Sequence, residues 1–269
     1  YPRVPRQLIG LAGQSIDKLL LNKFSGLTYL GNYTFGVKFA TILHMILTAV
    51  EKAWTPFFMN KANEKTSKSN NEIVKRFYEI AFGIVLAGVF IIYFSEEMIK
   101  ILTTEEYYPA MFVVPIYIYT TIFGLLGLLA INQLMFSEKL LYLLPASSIH
   151  IIVYSFSNIL LIPKLGAIGA AISSSFAALF SGLTHYYYGQ QKYPLPVKLN
   201  KIIYLFLLVL IFTIFNYPIM MLEINFFIKI ILKLFIISLF VMLGFRMDYI
   251  NFENVKTLYS QIGFNFKKD

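Results

Sequence analysis

MFVVPIYIYTTIFGLLGLLAINQLMF, residues 111–136, runs for 26 residues without one charged side chain. As an α-helix it would extend about 39 Å, more than the roughly 30 Å of hydrocarbon in a bilayer. The run stops at Ser-Glu-Lys (137–139), and a second apolar run begins at once. So short a break turns the chain straight back, which predicts an antiparallel helical hairpin. The same reading extends outward in both directions. Of the 269 residues, 58% are hydrophobic and 14% charged, whereas soluble domains carry roughly 45–50% and 25%. Mean hydropathy is +0.67. The chain reads as an integral membrane protein.

Eight spans can be drawn, at about 7–24, 27–50, 77–94, 111–136, 140–162, 167–188, 202–222 and 226–245. The first is the weakest, because it holds Gln14, Asp17 and Lys18. In lipid only helices and closed barrels satisfy their backbone groups. The ten-residue alternation of barrel strands is missing from the sequence. The expected fold is therefore all-α, a polytopic transmembrane helical bundle of eight spans.

The formal net charge of +9 would suit nucleic acid, but its placement follows membrane topology instead. Arg3, Arg6, the 60–76 loop, Lys139, Lys192, Lys198, Lys201 and the tail from Arg246 onward put 15 Lys and Arg residues on one side. Only Lys23, Lys100 and Lys164 fall on the other, whose longest loop is acidic through Glu96, Glu97, Glu105 and Glu106. This asymmetry predicts a cytoplasmic N-terminal end, 60–76 loop and tail, in a multi-pass protein of the cell membrane. No nucleic-acid partner is expected. Cysteine is absent, which excludes disulfides and thiolate metal sites. The chain opens on Tyr1 rather than Met and is read as the later part of a longer protein.

Several polar residues sit where lipid would reject them. In the first span Gln7, Gln14 and Lys18 share one helical face, with Gly10 and Asp17 beside it. The second span carries a stripe of Thr34, Lys38, Thr41, Met45, Thr48 and Lys52. Lys38 lies 11 residues beyond Leu27, roughly 16 Å down a helix and near mid-membrane. A lysine snorkels only from near a helix end, so Lys38 is expected to face a wet cavity in the bundle interior, or to pair with Asp17. Lys229 and Lys233, near the outer end of the last span, are expected to snorkel or meet lipid headgroups. His150 shares a side of the fifth span with Ser147, Tyr154 and Ser157 and reads as a hydrogen-bonded bundle histidine. No His-x-x-x-His spacing or acidic cluster offers a metal site. Nucleophile elbows and phosphate loops are missing too, so neither a cofactor nor an enzymatic activity is expected. The sixth span opens with GAIGAAISSSFAALFSG (166–182), a face of small residues suited to close helix packing within the chain or to a dimer. The 60–76 loop reads as a polar connector.

Two stretches carry a family resemblance. SIDKLLLNKFSGLTYLGNYTFGVK (15–38) resembles the seventh and eighth helices of the polysaccharide flippases, the Wzx-like branch of the multidrug/oligosaccharidyl-lipid/polysaccharide exporter superfamily. The acidic–basic pair, the leucine run and a Gly-x-Tyr turn at Gly31, Asn32 and Tyr33 match that pattern. SNILLIPKLGAIGAAIS (157–173) resembles the family's turn from the eleventh helix to the twelfth, with an Asn, an apolar-Pro step and a Gly-x-x-Gly-Ala-Ala. Lys18 stands where many members have Arg.

The resemblance implies helices seven to fourteen of a fourteen-helix transporter. Residues 1–188 would be the second six-helix lobe and 189–201 a cytoplasmic linker. Residues 202–245 would form two additional peripheral helices, and 246–269 a cytoplasmic tail. The implied substrate is an oligosaccharide linked to lipid diphosphate, of the undecaprenyl type, flipped to the outer leaflet for cell-surface polysaccharide. Lys38 and Lys18 would be cavity cations and Gln14, Asn32 and Thr41 polar neighbours. Asp17 would orient a lysine or serve ion coupling, and His150 and Asn158 would add polar cavity groups. Implied partners are the N-terminal lobe and membrane lipids, with a polysaccharide polymerase and a coupling ion also open. A cation-coupled drug or metabolite antiporter of the same superfamily remains the alternative, and a membrane-embedded transferase a more distant one.

Overall fold

The computed structural model describes residues 16–222 and 224–250. Among these are seven α-helices: α1 Ile16–Phe24, α2 Leu27–Asn63, α3 Ser67–Leu102, α4 Ala110–Phe136, α5 Leu143–Lys192, α6 Leu199–Met221 and α7 Phe226–Arg246. Six of them, α2 to α7, are long and apolar enough to cross a membrane. Eight such spans are not seen. The expected first span is represented only by α1, residues 7–15 lying outside the described residues, and the expected fifth and sixth spans are one run, α5.

Within α5, Gly166 alone leaves helical geometry, at φ 55° and ψ −129°. The positive φ is one that a side chain resists. The two arms it joins fold against each other. A Cβ on Gly169 would collide with the Leu161 carbonyl, although eight residues span about 12 Å in a straight helix. Further along, His150 reaches the Ala177 backbone. Pairing of 161 with 169 and of 150 with 177 is the register of an antiparallel hairpin.

The small residues of the second arm then find their use. Ser175 donates to the Ile116 carbonyl at 2.7 Å, a Cβ on Gly182 would lie 2.7 Å from the Phe123 carbonyl, and Gly189 faces Ala130. The offset is 59 residues each time, recurring every seven residues, so this arm runs parallel to α4 with the backbones in contact. In lipid such close approach replaces the hydrophobic drive. The small-residue face is thus consumed within the chain.

Helices α2 and α3 form a second hairpin. Gly26, at φ 87°, turns the chain from α1 into α2, while Gly31, Asn32 and Tyr33 lie inside α2 rather than in the expected turn. The 60–76 loop shrinks to residues 64–66, because α2 continues to Asn63 and α3 starts at Ser67. Thr66 caps α3, its hydroxyl accepting from the Ser69 amide at 3.0 Å, an arrangement that contributes about 1 kcal/mol. Lys61 bridges the turn to Glu72 at 2.8 Å. Helices of 37 and 36 residues outrun the hydrocarbon, so their polar ends remain helical in water.

The centre of the bundle is α3 and α4, whose most apolar windows are 61% and 67% buried, against 17% for α7. Helices α6 and α7 flank α3. Tyr93 donates to the Phe212 carbonyl at 2.8 Å, and Phe82 stacks on Phe240 with centroids 5.4 Å apart.

Here the structure corrects two expectations. Glu96 and Glu97 lie in α3, not in a loop, and both are buried. Lys229 and Lys233 do not reach headgroups. Lys229 lies 2.8 Å from Glu96 Oε1, and Lys233 lies 3.2 Å from Glu96 Oε2 and 2.5 Å from Glu97 Oε1. Lys100 adds a third cation at 2.8 Å, and Lys229 also donates to the Met220 carbonyl at 3.0 Å. A charge in the apolar interior is tolerated when paired and hydrogen-bonded, and both acids meet the lysines of α7 here.

Candidate functional site

A cleft of about 630 Å³ opens between α1, α2, α4 and the two arms of α5. Four of the residues singled out in the sequence by their polarity line it together: Asp17, Lys18, Lys38 and His150, with Thr41 beside them. They converge because α1 and α2 are joined by the tight turn at Gly26, and because the hairpin of α5 brings His150 opposite Ala177. A smaller apolar cluster holds α1 in place, Leu21 meeting Tyr33, Val113, Ile162 and Ala170.

Lys38 is exposed to the cleft rather than enclosed by the bundle. It also lines an adjoining recess of about 670 Å³ near the Leu102–Tyr107 turn. Among the described residues, no carboxylate comes within ion-pair distance of Lys38 or Lys18. The expected pairing of Asp17 with a lysine is therefore not formed. Asp17 is only 4% exposed. Its Oδ2 accepts from the Tyr33 hydroxyl at 2.6 Å and its Oδ1 from the Lys18 amide at 2.8 Å. A buried carboxylate needs such donors, and a tyrosine supplies one without adding charge.

Tyr117 and Tyr154 complete the surroundings of Asp17. Tyr33 and Tyr117 meet edge to face with centroids 6.3 Å apart. His150 lies nearly parallel to Tyr154, at 6.0 Å and 17°. Thr41 donates to the Val37 carbonyl at 2.8 Å, and His44 is a further lining residue. The role of Tyr117 had no local signal, since an aromatic residue in an apolar span is ordinary; only packing brings it to Asp17.

Three remaining candidates stand apart. Gln14 lies outside the described residues. Asn32 is buried and does not line the cleft, and Asn158 is wholly buried one turn beyond Tyr154. Among the described residues no group of three His, Asp or Glu side chains has the geometry to hold a metal ion. The arrangement thus sets hydroxyl and imidazole groups and one buried, hydrogen-bonded carboxylate, Asp17, beside two ammonium groups that have no carboxylate at ion-pair distance among the described residues. Chemically it suits an anionic ligand that carries hydroxyls.

No protein-family model matches this sequence, and no curated protein matches it either. Among solved structures, the fold is similar to "Lipid II flippase MurJ, inward closed conformation", with a TM-score of 0.53 and 13% sequence identity. The similarity covers 85% of this chain and 52% of that one, so the chain spans about half the length of the flippase it resembles. At that identity the likeness is one of fold. The chain is a multi-pass helical membrane protein whose architecture is similar to that of part of a lipid II flippase.

Proposed function

We propose that this chain forms one lobe of a membrane transporter that flips an oligosaccharide linked to lipid diphosphate, with the cleft as its share of the substrate path. The observation that carries this reading is Lys38, an ammonium about a third of the way along α2, open to a polar cleft and, among the described residues, without a carboxylate at ion-pair distance. An isolated cation there is costly unless water or an anionic ligand meets it. A diphosphate is such a ligand, and the low dielectric of a cleft strengthens the attraction. Lys38 and Lys18 contact the diphosphate, and the Thr41, His150 and tyrosine groups face the sugar. The protein is a transporter and not an enzyme. Residues 1–188 form the lobe, 189–201 a cytoplasmic linker, 202–245 the two additional helices and 246–269 a cytoplasmic tail. Surface polysaccharide export is the process served.

The experiment is complementation of a flippase-null strain by the full-length protein. Lys38→Ala at normal expression reduces surface polysaccharide, while Lys38→Arg, which keeps charge but changes geometry, retains part of it. Normal export from Lys38→Ala would overturn the role of Lys38.

A second reading, a cation-coupled antiporter, draws on Asp17, a buried carboxylate at the cleft floor. In that case Asp17→Asn abolishes transport, and Lys38→Ala leaves it near normal.

A further inference from the structure

At the end of α3 remote from the Glu96 network, a cavity of about 610 Å³ opens where three elements meet. Lys75 and Tyr78 of α3 line it, with Lys198 and Lys201 at the start of α6 and Asp248 and Tyr249 just after α7. Its walls are fixed by aromatic hydroxyls. The Tyr78 hydroxyl accepts from the Lys198 amide at 2.7 Å and donates to the Lys198 carbonyl at 3.2 Å. Tyr249 donates to the Lys201 carbonyl.

The charge left over is positive. The Lys201 ammonium lies 5.5 Å from the Tyr78 centroid and 5.7 Å from that of Tyr249. Among the described residues its one hydrogen bond is a long one, 3.4 Å, to the Asp248 carbonyl, although an ammonium offers three donors. The Lys198 side chain is exposed. Against Lys75, Lys198 and Lys201 the cavity is lined by two acids, Asp248 and Glu79, and Glu79 is engaged by Arg76 at 2.7 Å. Helix α6 begins here with no side-chain cap, so the amides of its first turn add positive potential.

Depth points to the kind of ligand. The apolar run of α6 starts at Ile202, directly after Lys201, and that of α7 ends at Phe245, directly before Arg246. The cavity therefore lies at the boundary between hydrocarbon and headgroups. Just inside it, α6 exposes Ile203, Tyr204 and Leu207, and α7 exposes Met242, surface along which acyl chains can lie. A free anion would have no use for that surface.

We infer that this cavity binds the phosphate of an anionic glycerophospholipid, with Lys198 and Lys201 as its cationic contacts. The inference is independent of what the other cleft transports. The test is lipid titration of the full-length protein in nanodiscs of phosphatidylcholine, with or without an equal share of phosphatidylglycerol. Each lysine near an anionic membrane surface is worth about five-fold in affinity. Lys198→Gln with Lys201→Gln thus lowers apparent affinity for phosphatidylglycerol about 25-fold, and the double Arg variant keeps it. Lys198→Gln alone, at an exposed side chain whose backbone and not its ammonium holds Tyr78, lowers it about five-fold. Undiminished preference for phosphatidylglycerol in the folded Gln variants would overturn the proposal. So would equal stabilisation by inorganic phosphate in pure phosphatidylcholine, which would mark a site for free phosphate.

Discussion

Lys233 Nζ lies 2.5 Å from Glu97 Oε1, and the Lys233 side chain has no exposed surface. The contact joins α7 to α3 across 136 residues of sequence. Removing one partner of a buried pair costs about 3–5 kcal/mol, because the other charge is left without compensation. Lys233→Leu is therefore expected to lower the thermal midpoint of the purified protein sharply. Lys233→Leu with Glu97→Leu removes both charges and should recover most of the loss. A single variant as stable as the parent would mean that the pair contributes nothing.

Gly182 and Gly124 both lie in membrane helices but should respond in opposite ways. A Cβ at Gly182 would come within 2.7 Å of the Phe123 carbonyl, whereas one at Gly124 meets nothing within 4 Å. Gly182→Ala forces α4 and α5 apart and should reduce folded yield. Gly124→Ala should be neutral or stabilising by about 0.5–1 kcal/mol, since alanine loses less backbone freedom in a helix. Size-exclusion profiles and thermal midpoints of the two variants decide this.

Because the chain has no cysteine, single cysteines report access to water within it. Lys38→Cys should react with a membrane-impermeant maleimide when that face of the cleft is wet, and Lys233→Cys should stay unlabelled until the protein is unfolded. Absence of labelling at position 38 from both sides of the membrane would remove the aqueous cleft.

Tyr33 donates to the buried Asp17 carboxylate at 2.6 Å, and Tyr154 lies within hydrogen-bonding reach of it as well. Tyr33→Phe removes one donor from a buried carboxylate that keeps the Lys18 amide, which costs about 1 kcal/mol or more. Asp17→Asn makes that group neutral, so the double variant should be less destabilised than the sum of the singles. A thermodynamic cycle measures the coupling; additive effects would show that the hydrogen bond is not formed.

Much of this architecture is legible locally. Length and apolarity of the runs determine that the chain is helical and crosses a membrane, since unpaired backbone groups are intolerable in lipid. The Ser-Glu-Lys break also marks a reversal by itself, through local polarity, whereas the turn expected at Gly31, Asn32 and Tyr33 lies inside α2 and the reversal is made at Gly26 instead. Lys38 lines a polar cleft with Thr34 and Thr41 of the same helix, neighbours that the spacing of the polar stripe on α2 already grouped with it.

What each charge faces was decided only by the tertiary structure. Lys229 and Lys233 read as snorkelling residues because their own neighbours in sequence are apolar. Glu96 and Glu97 read as loop residues because the apolar run ends before them. Each is expensive alone; Lys100 of α3 meets Glu96 locally, but the two lysines of α7 and Glu97 are compensated only when α7 docks beside α3. Asp17 is the same case with a neutral partner: nothing near it in sequence reveals that a tyrosine on α2, and not a lysine, satisfies it. Helix formation depends on groups four residues apart, so sequence displays it. Electrostatic compensation depends on distances that exist only after the helices have packed.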